Sequence, residues 1–502
     1  MICGNTKRAI YYLVVLVIAG FICRLSSFQK NIYLHGDVVL HCATVENLAH
    51  KKGFVVSYAL SDLVPLKKPE LLGHPVQQHA PLWPLLGAFL FPFVKEAFTS
   101  LKILSLLGGM ALIPLSFVFA CRFFGLSCAY LTAFAVAFSY QLIDYSANGS
   151  LYILQAVLFI LFVLAADGAD TVFRWCMLGC LAGIAWLLNY QNIVMGASIC
   201  CLYAVSYRGR WLSKENIIKL LACFLVLGIT ILPWLVRNYT VFGNPFHNIN
   251  MQYFWGKMGV SSSMPFHDPL IFQKLCTWVP WWTAHNIYYV ARELFVLAPV
   301  IFACALWGLP HFIGQVIRAR KQAYTAGALL VVLYTGICVV WPVVKYRYFV
   351  PLLPFVFAFG FSVMHSFQHK TIRKFLMLSA IGVFCLFSVL AFLSVPSRTL
   401  YYGGALTKDI FGKRGEAEFI EEADALLDVA RFLKSYPPRV IYGEPALHFY
   451  TGLPVVHDKT FLRNNEYYLV MPANQNGNDY SDGEVIFSNH KFLVLKCHGV
   501  KA

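Results

Sequence analysis

The sequence predicts an all-α polytopic membrane protein. About eleven transmembrane helices and one re-entrant or juxtamembrane helix are expected, with a small extracytoplasmic α/β domain at the C-terminus. Three observations carry this reading. Of 502 residues, 59% are hydrophobic and only 13% are charged, whereas soluble domains carry about 25% charged residues. That fraction is roughly 296 apolar residues, and at about 20 residues per span it supplies about eleven spans. The apolar stretches are also continuous rather than alternating, which argues against a membrane β-barrel. A soluble enzyme, a disordered chain and a single-pass receptor are excluded.

The elements follow in order. The first apolar run, 10–23, comes after Lys7 and Arg8 and lacks a small-x-small cleavage site. It reads as a retained first helix rather than a signal peptide. A polar stretch runs on to His79. The next apolar piece, 82–94, has about 13 residues and carries Pro84 and Pro92. It is short for a span and reads as re-entrant or interfacial. Spans then fit about 102–121, 126–143, 150–166, 174–189, 191–206, 216–236, 288–308, 324–342, 347–366 and 375–395.

Loop charge sets the orientation. With the N-terminus inside, Arg122, Arg174, the Arg208–Arg210–Lys214 cluster, the Arg318–Arg320–Lys321 cluster and the Lys370–Arg373–Lys374 cluster all face the cytoplasm. This is the positive-inside pattern. Counting 82–94 as a full span would turn every cluster outward. Most of the net charge of +16 therefore marks the inner side, and no nucleic-acid partner is expected. The plasma (inner) membrane is the expected location.

Three segments fall outside: a first loop over 27–101, a later loop over 237–287, and the tail. The expected domains are 1–396 in the membrane and 397–502 outside it. The tail changes composition, with an acidic helix-like stretch over 416–434. Strand-like pieces follow: RVIYG at 439–443, YYLVM at 467–471 and KFLVL at 491–495. The 15 cysteines sit mostly in apolar runs, and no CxxC pair occurs, so a structural zinc site is not expected.

Candidate chemistry lies in the outer segments. The first loop reads HGDVVLHCAT at 35–44. Asp37 there is either an N-cap or a general base at the membrane surface, and the two are compatible. His41, four residues on, shares its helix face and is read as a polar surface residue. Lys67, Lys68, His74 and His79 lie in the same loop, as solvated polarity or as phosphate contacts. Asp144, in DYSANGS at 144–150, is a candidate second acid or a helix-end residue in water. PWLVRNYTVFGNP at 233–245 contains Arg237 and opens an aromatic-rich loop. KYRYFVPLLP at 345–354 sets Lys345 and Arg347 at the outer end of a span. They either snorkel or grip a phosphate, Arg with its fork and Lys as a point charge.

Five pieces in this order resemble the GT-C membrane glycosyltransferases, in particular the protein O-mannosyltransferase, aminoarabinose transferase and rhizobial galacturonosyl transferase group. They are GDVVLHCATVENLAHKKGF, HAPLWPLL, PWLVRNYTVFGNPF, KYRYFVPLLP and, in the tail, PPRVIYGEPALHFYTGLPVV. The resemblance implies an extracytoplasmic active site and a polyprenyl-phosphate sugar donor. The acceptor would be a lipid, glycan or protein, with membrane lipids around the chain. Asp37 matches the family's first-loop catalytic acid. Arg347, with Lys345 and Arg237, matches basic positions that meet the carrier phosphate.

Two departures stand out. GSLY at 149–152 lacks the acid the family often has there, and Asn189 and Tyr190 stand where the family often has Arg. Family members with a sugar monophosphate carrier generally need no metal, so no cofactor is expected, with room left for a divalent cation. The implied reaction is an inverting transfer. A secondary transporter, which would show paired halves, and a surface-polysaccharide polymerase or ligase are the alternatives.

Overall fold

A computed structural model describes residues 2–30, 37–56, 74–76, 79–248, 254, 270–308, 322–341, 346–394 and, in the tail, 428–429, 431–433, 435, 441–442, 455–456, 467–472, 484–488 and 492–497. Among the described residues, four helices are long and apolar enough to cross a bilayer: 7–29, 97–124, 214–242 and 347–366. Shorter apolar helices pack among them, and one continuous apolar core runs from the first helix to the last. The chain is a polytopic helical membrane protein.

Helix α1 (Ile2–Lys30) is longer than its apolar run at both ends. In its last turns Arg24 is fully buried. The reason lies in the next helices. The expected span over 126–143 is in fact two helices, α5 (Leu126–Phe138) and α6 (Tyr140–Tyr145). They break at Ser139, whose backbone is extended. A helix end leaves carbonyls without intrahelical partners, and in an apolar medium each such group is costly. Arg24 supplies the donors. Its guanidinium reaches the Val136 and Ala137 carbonyls at 2.9 Å each, and Ser146 Oγ at 3.2 Å. Gly109 on α4 (Ala97–Phe124) permits this approach, because a Cβ there would collide with Ser146 Oγ.

The short piece forms α3 (Leu82–Val94), with the expected bounds. Thirteen residues make a rod of about 20 Å, short of a ~30 Å hydrocarbon core. Phe89 and Phe93 are exposed, while Trp83 is fully buried and donates to the Gly149 carbonyl at 3.0 Å. Gly149 has φ +77°, a left-handed conformation that glycine adopts without penalty. This bond ties the HAPLWPLL piece to the turn that follows α6.

α2 (Asp37–Ala49) packs on α3 and α4. A two-residue hairpin, β1 (Val55–Val56) with β2 (His74–Pro75), follows it. α7 (Tyr152–Ala166), α8 (Val172–Leu188), α9 (Ile193–Ser206) and α10 (Lys214–Phe242) come next. The expected outer loop over 237–287 is helical at both ends. α10 runs on to Phe242 through Pro233, and α11 begins early (Ile271–Leu297). Proline is tolerated in membrane helices where surroundings re-satisfy the freed carbonyl. α12 (Pro299–Gly308), α13 (Gln322–Val340), α14 (Leu353–Ser366) and α15 (Lys370–Ser394) complete the helices. Asn286 on α11 caps the end of α13, donating to the Val339 and Trp341 carbonyls at 2.8 and 2.7 Å.

The tail holds a five-stranded mixed sheet of order β4-β3-β5-β7-β6. β3 (Ile441–Tyr442), β5 (Tyr467–Pro472) and β7 (Phe492–Cys497) fall on the three expected pieces. β4 (Val455–Val456) and β6 (Glu484–Ser488) were not expected. The acidic helix over 416–434 lies mostly outside the described residues. Within it, Val429 and Leu433 are fully buried one turn apart, and Phe432 stacks on Phe487 of β6 at 4.7 Å.

Arg24→Met keeps an apolar shape but strands the α5 carbonyls. The expected cost is on the order of 3 kcal/mol, read as a clear drop in the thermal unfolding midpoint of the detergent-purified protein. An unchanged midpoint would contradict the capping role.

Candidate active site

Helix α2 begins on Asp37. Its carboxylate Oδ2 lies 2.6 Å from Nη2 of Arg347, a charge-assisted bond at the short end of its range. Arg347 sits on a 3-10 helix, Tyr346–Leu352, that leads into α14. Pro351 lies within this segment, and proline's missing N–H and fixed φ disfavour regular α-helix there. The Arg347 side chain is 9% exposed and that of Asp37 34%. The cation is therefore desolvated while the carboxylate keeps access to an opening.

Two spaces adjoin this pair. One, of about 10 Å³, holds no more than a single water and lies among Asp37, His41, Tyr145, Tyr152 and Arg347. The other is a cavity of about 320 Å³. Asp37, His79, Tyr152 and Tyr348 line one part of it. The 189–191 turn, Trp186, Asn238, the 246–248 segment and Trp341 line the rest. Tyr190 joins these walls. Its hydroxyl accepts from Trp234 Nε1 at 2.8 Å and lies 3.4 Å from the His79 carbonyl.

His41 is 2% exposed, which corrects its reading as a surface residue. Helix α2 packs on α3 and α4, and most of its residues, His41 among them, are buried. Its ring lies 4.5 Å from that of His79. The Nε2 atoms of both are buried with no hydrogen-bond partner among the described residues. Burial pushes the His41 imidazole well below its ordinary value. His79 and the Arg347 charge push the same way, and Asp37 opposes them. Burial also lowers His79, with Asp37 opposing and Arg347 adding to the effect. Both rings are therefore neutral near neutral pH.

No family model matches the chain, and no curated protein matches it. Solved structures do. ArnT from Cupriavidus metallidurans bound to undecaprenyl phosphate aligns with a TM-score of 0.57 and 13% identity, over 98% of both chains. The Archaeoglobus fulgidus oligosaccharyltransferase, in complex with zinc and sulfate, aligns at 0.59 and 13% identity, over 90% of this chain and 63% of that one. The archaeal oligosaccharyltransferase AglB from the same organism, with an inhibitory peptide and a dolichol-phosphate, gives 0.56 and 12%, over 92% and 66%. This chain shares the fold of ArnT and of these oligosaccharyltransferases. It spans about two thirds of the archaeal proteins and nearly the whole of ArnT.

On this fold the expected site residues have different surroundings. Asp37, Arg347 and His79 come together. Arg237 is directed at backbone: it donates to the Val76 and Phe54 carbonyls at 3.1 and 3.2 Å, and to Asn238 Oδ1 at 3.0 Å. It thereby straps the β1–β2 hairpin to α10. Asp144 is buried on α6 beside Tyr145 and lines neither cavity. Lys67, Lys68 and Lys345 lie outside the described residues.

Among the described residues, no three His, Cys, Asp or Glu side chains cluster to hold a metal. The carboxylate that lines the larger cavity already faces a guanidinium, and hard cations need several oxygen ligands. The described residues do not fit such a site. The aromatic and amide walls were missed in the sequence. Their one signal is the polar run Asn189–Tyr190–Gln191–Asn192 between two apolar helices.

The two imidazoles predict a pH dependence. Their folded pKa values lie below the ordinary 6.5, so below about pH 6.5 the unfolded chain binds protons that the folded chain does not. Stability is then full above that pH and declines below it. Thermal unfolding measured from about pH 7.5 down to about pH 5 should show this fall, and His41→Gln should flatten it. An equal slope in the variant would place the effect elsewhere.

Proposed function

We propose that this chain is a membrane glycosyltransferase. It moves a sugar from a polyprenyl-phosphate donor to a lipid, glycan or protein acceptor at the extracytoplasmic face of the plasma (inner) membrane. The observation that carries this reading is the Asp37–Arg347 pair at the wall of the 320 Å³ cavity. One acid that can take a proton stands beside one buried cation that can take a leaving phosphate. The N-terminus is placed in the cytoplasm, with residues 397–502 forming an outer domain. The undecaprenyl phosphate bound to ArnT and the dolichol-phosphate bound to AglB support a lipid-phosphate carrier.

The mechanism follows from the two groups. The acceptor's O–H or N–H proton passes to the Asp37 carboxylate as its heteroatom attacks the anomeric carbon. The bond from that carbon to the phosphate oxygen breaks, and its electron pair stays on the phosphate. Arg347, released from Asp37 as the base is protonated, stabilises the added charge. Direct attack from the opposite face inverts the anomeric centre. Lys67, Lys68, His79 and Lys345 are proposed contacts of the carrier phosphate. Asp144 and Arg237 are assigned positioning roles, Asp144 behind Tyr145 and Arg237 through the hairpin. No step requires a metal.

Purified wild type and Asp37→Asn should be compared for sugar release from undecaprenyl-phosphate sugars, with thermal unfolding as a folding control. The expected loss is about 10²–10⁴-fold. Wild-type turnover by a folded Asp37→Asn protein would remove Asp37 as the base.

A further inference from the structure

The larger cavity offers more than the reacting pair. Asn189 and Gln191 reach it from the turn after α8, and Asn238 from the end of α10. The rings of Trp186, Trp341 and Tyr348 form other parts of its lining. We infer that this amide and aromatic wall is a subsite for a single uncharged sugar ring, so that the transferred group is a neutral monosaccharide. This rests on the glycosyltransferase reading and names its substrate class.

The amides are held but not saturated. Asn189 Oδ1 accepts from the Gln191 backbone N–H at 3.2 Å, and its Nδ2 donates to Gln155 Oε1 at 3.3 Å and to Gln191 Oε1 at 3.4 Å. Asn238 Oδ1 accepts from Arg237, and its Nδ2 donates to the Pro245 carbonyl at 3.3 Å. A carboxamide has two donor hydrogens and two acceptor lone pairs, so Asn189 and Asn238 each retain acceptor capacity, and Gln191 Nε2 retains donor hydrogens. Sugar hydroxyls both donate and accept, and carboxamides answer both roles. The apolar C–H faces of a sugar ring suit flat aromatic surfaces, and Trp341 is itself stacked on Phe254 at 5.5 Å.

Charge balance points the same way. A sugar carboxylate calls for a cation, but Arg347 faces Asp37 and Arg237 faces three oxygen acceptors. The two lining imidazoles, His79 and His247, are both lowered by burial. A sugar ammonium calls for a carboxylate, and Asp37 is already matched by Arg347. Among the described residues, no lining side chain remains to compensate either charge in this partly desolvated space. A volume of about 320 Å³ is at the small end of ligand sites, which suits one ring and not an oligosaccharide.

The test is binding of undecaprenyl phosphate, bare or carrying glucose, galacturonic acid or 4-amino-arabinose, to the full-length protein in nanodiscs. The glucose-bearing lipid should bind about tenfold tighter than the bare carrier, and the two charged donors should not. Gln191→Ala should remove that gain while leaving bare-carrier binding unchanged. Tightest binding of a charged donor would overturn the neutral-sugar assignment and leave the glycosyltransferase reading in place. Equal binding of all four lipids would overturn it as well. No binding of any of them, the bare carrier included, would overturn the glycosyltransferase reading itself.

Discussion

The ion pair between Asp37 and Arg347 is the constraint on which the rest of the site depends. Its partners come from opposite ends of the helical part of the chain, one at the start of α2 and one on the 3-10 turn before α14. At 2.6 Å the contact leaves little freedom in how those elements meet. Arg347 is nearly buried, and a buried cation stripped of its partner costs about 3–5 kcal/mol. Helix α2 and the late helices are therefore locked together where the larger cavity forms. The same pairing keeps the acid and the cation ready for separate tasks.

Around this pair, the fold repeatedly breaks helices and then satisfies the broken ends from a neighbour. Arg24 caps α5, Asn286 caps α13, and Lys102 donates to the Phe28 carbonyl near the end of α1 at 2.6 Å. Gln155, Asn189 and Asn192 bond to one another across the break between α8 and α9. In an apolar medium irregular backbone survives only where protein groups replace water. At the α8–α9 break, Asn189, Tyr190 and Gln191 line the larger cavity. The cavity lies where the α8–α9 break, the end of α10 and the segment after α13 converge.

Part of this was legible in the sequence. The bounds of α3 follow from a run of 13 residues too short to span, and positive loop clusters argued for leaving it out of the span count. Asp37 and Arg347 stood out as polar residues beside apolar runs on the expected outer side. Arg24 did not, because a single cation near the end of an apolar run looks like ordinary snorkelling; its partners lie more than 110 positions away. The break at Ser139 was equally hidden, since hydropathy is continuous across it. His41 was read as exposed because local spacing shows which helix face it shares, not what packs on that face. The expected span over 216–236 already ran through Pro233; the helical ends of the 237–287 loop stayed hidden because both helices run beyond the apolar stretches into mixed polar sequence. The amide wall was hidden for the same reason as Arg24: its members meet only after folding.

The most direct measurement is a structure of the full-length protein with undecaprenyl phosphate bound. A phosphate oxygen should lie about 2.7–2.9 Å from the Arg347 guanidinium, with the Asp37 carboxylate facing the larger cavity. A phosphate seated away from Arg347, with the Asp37–Arg347 contact undisturbed, would contradict the assignment of this pair as the reaction centre.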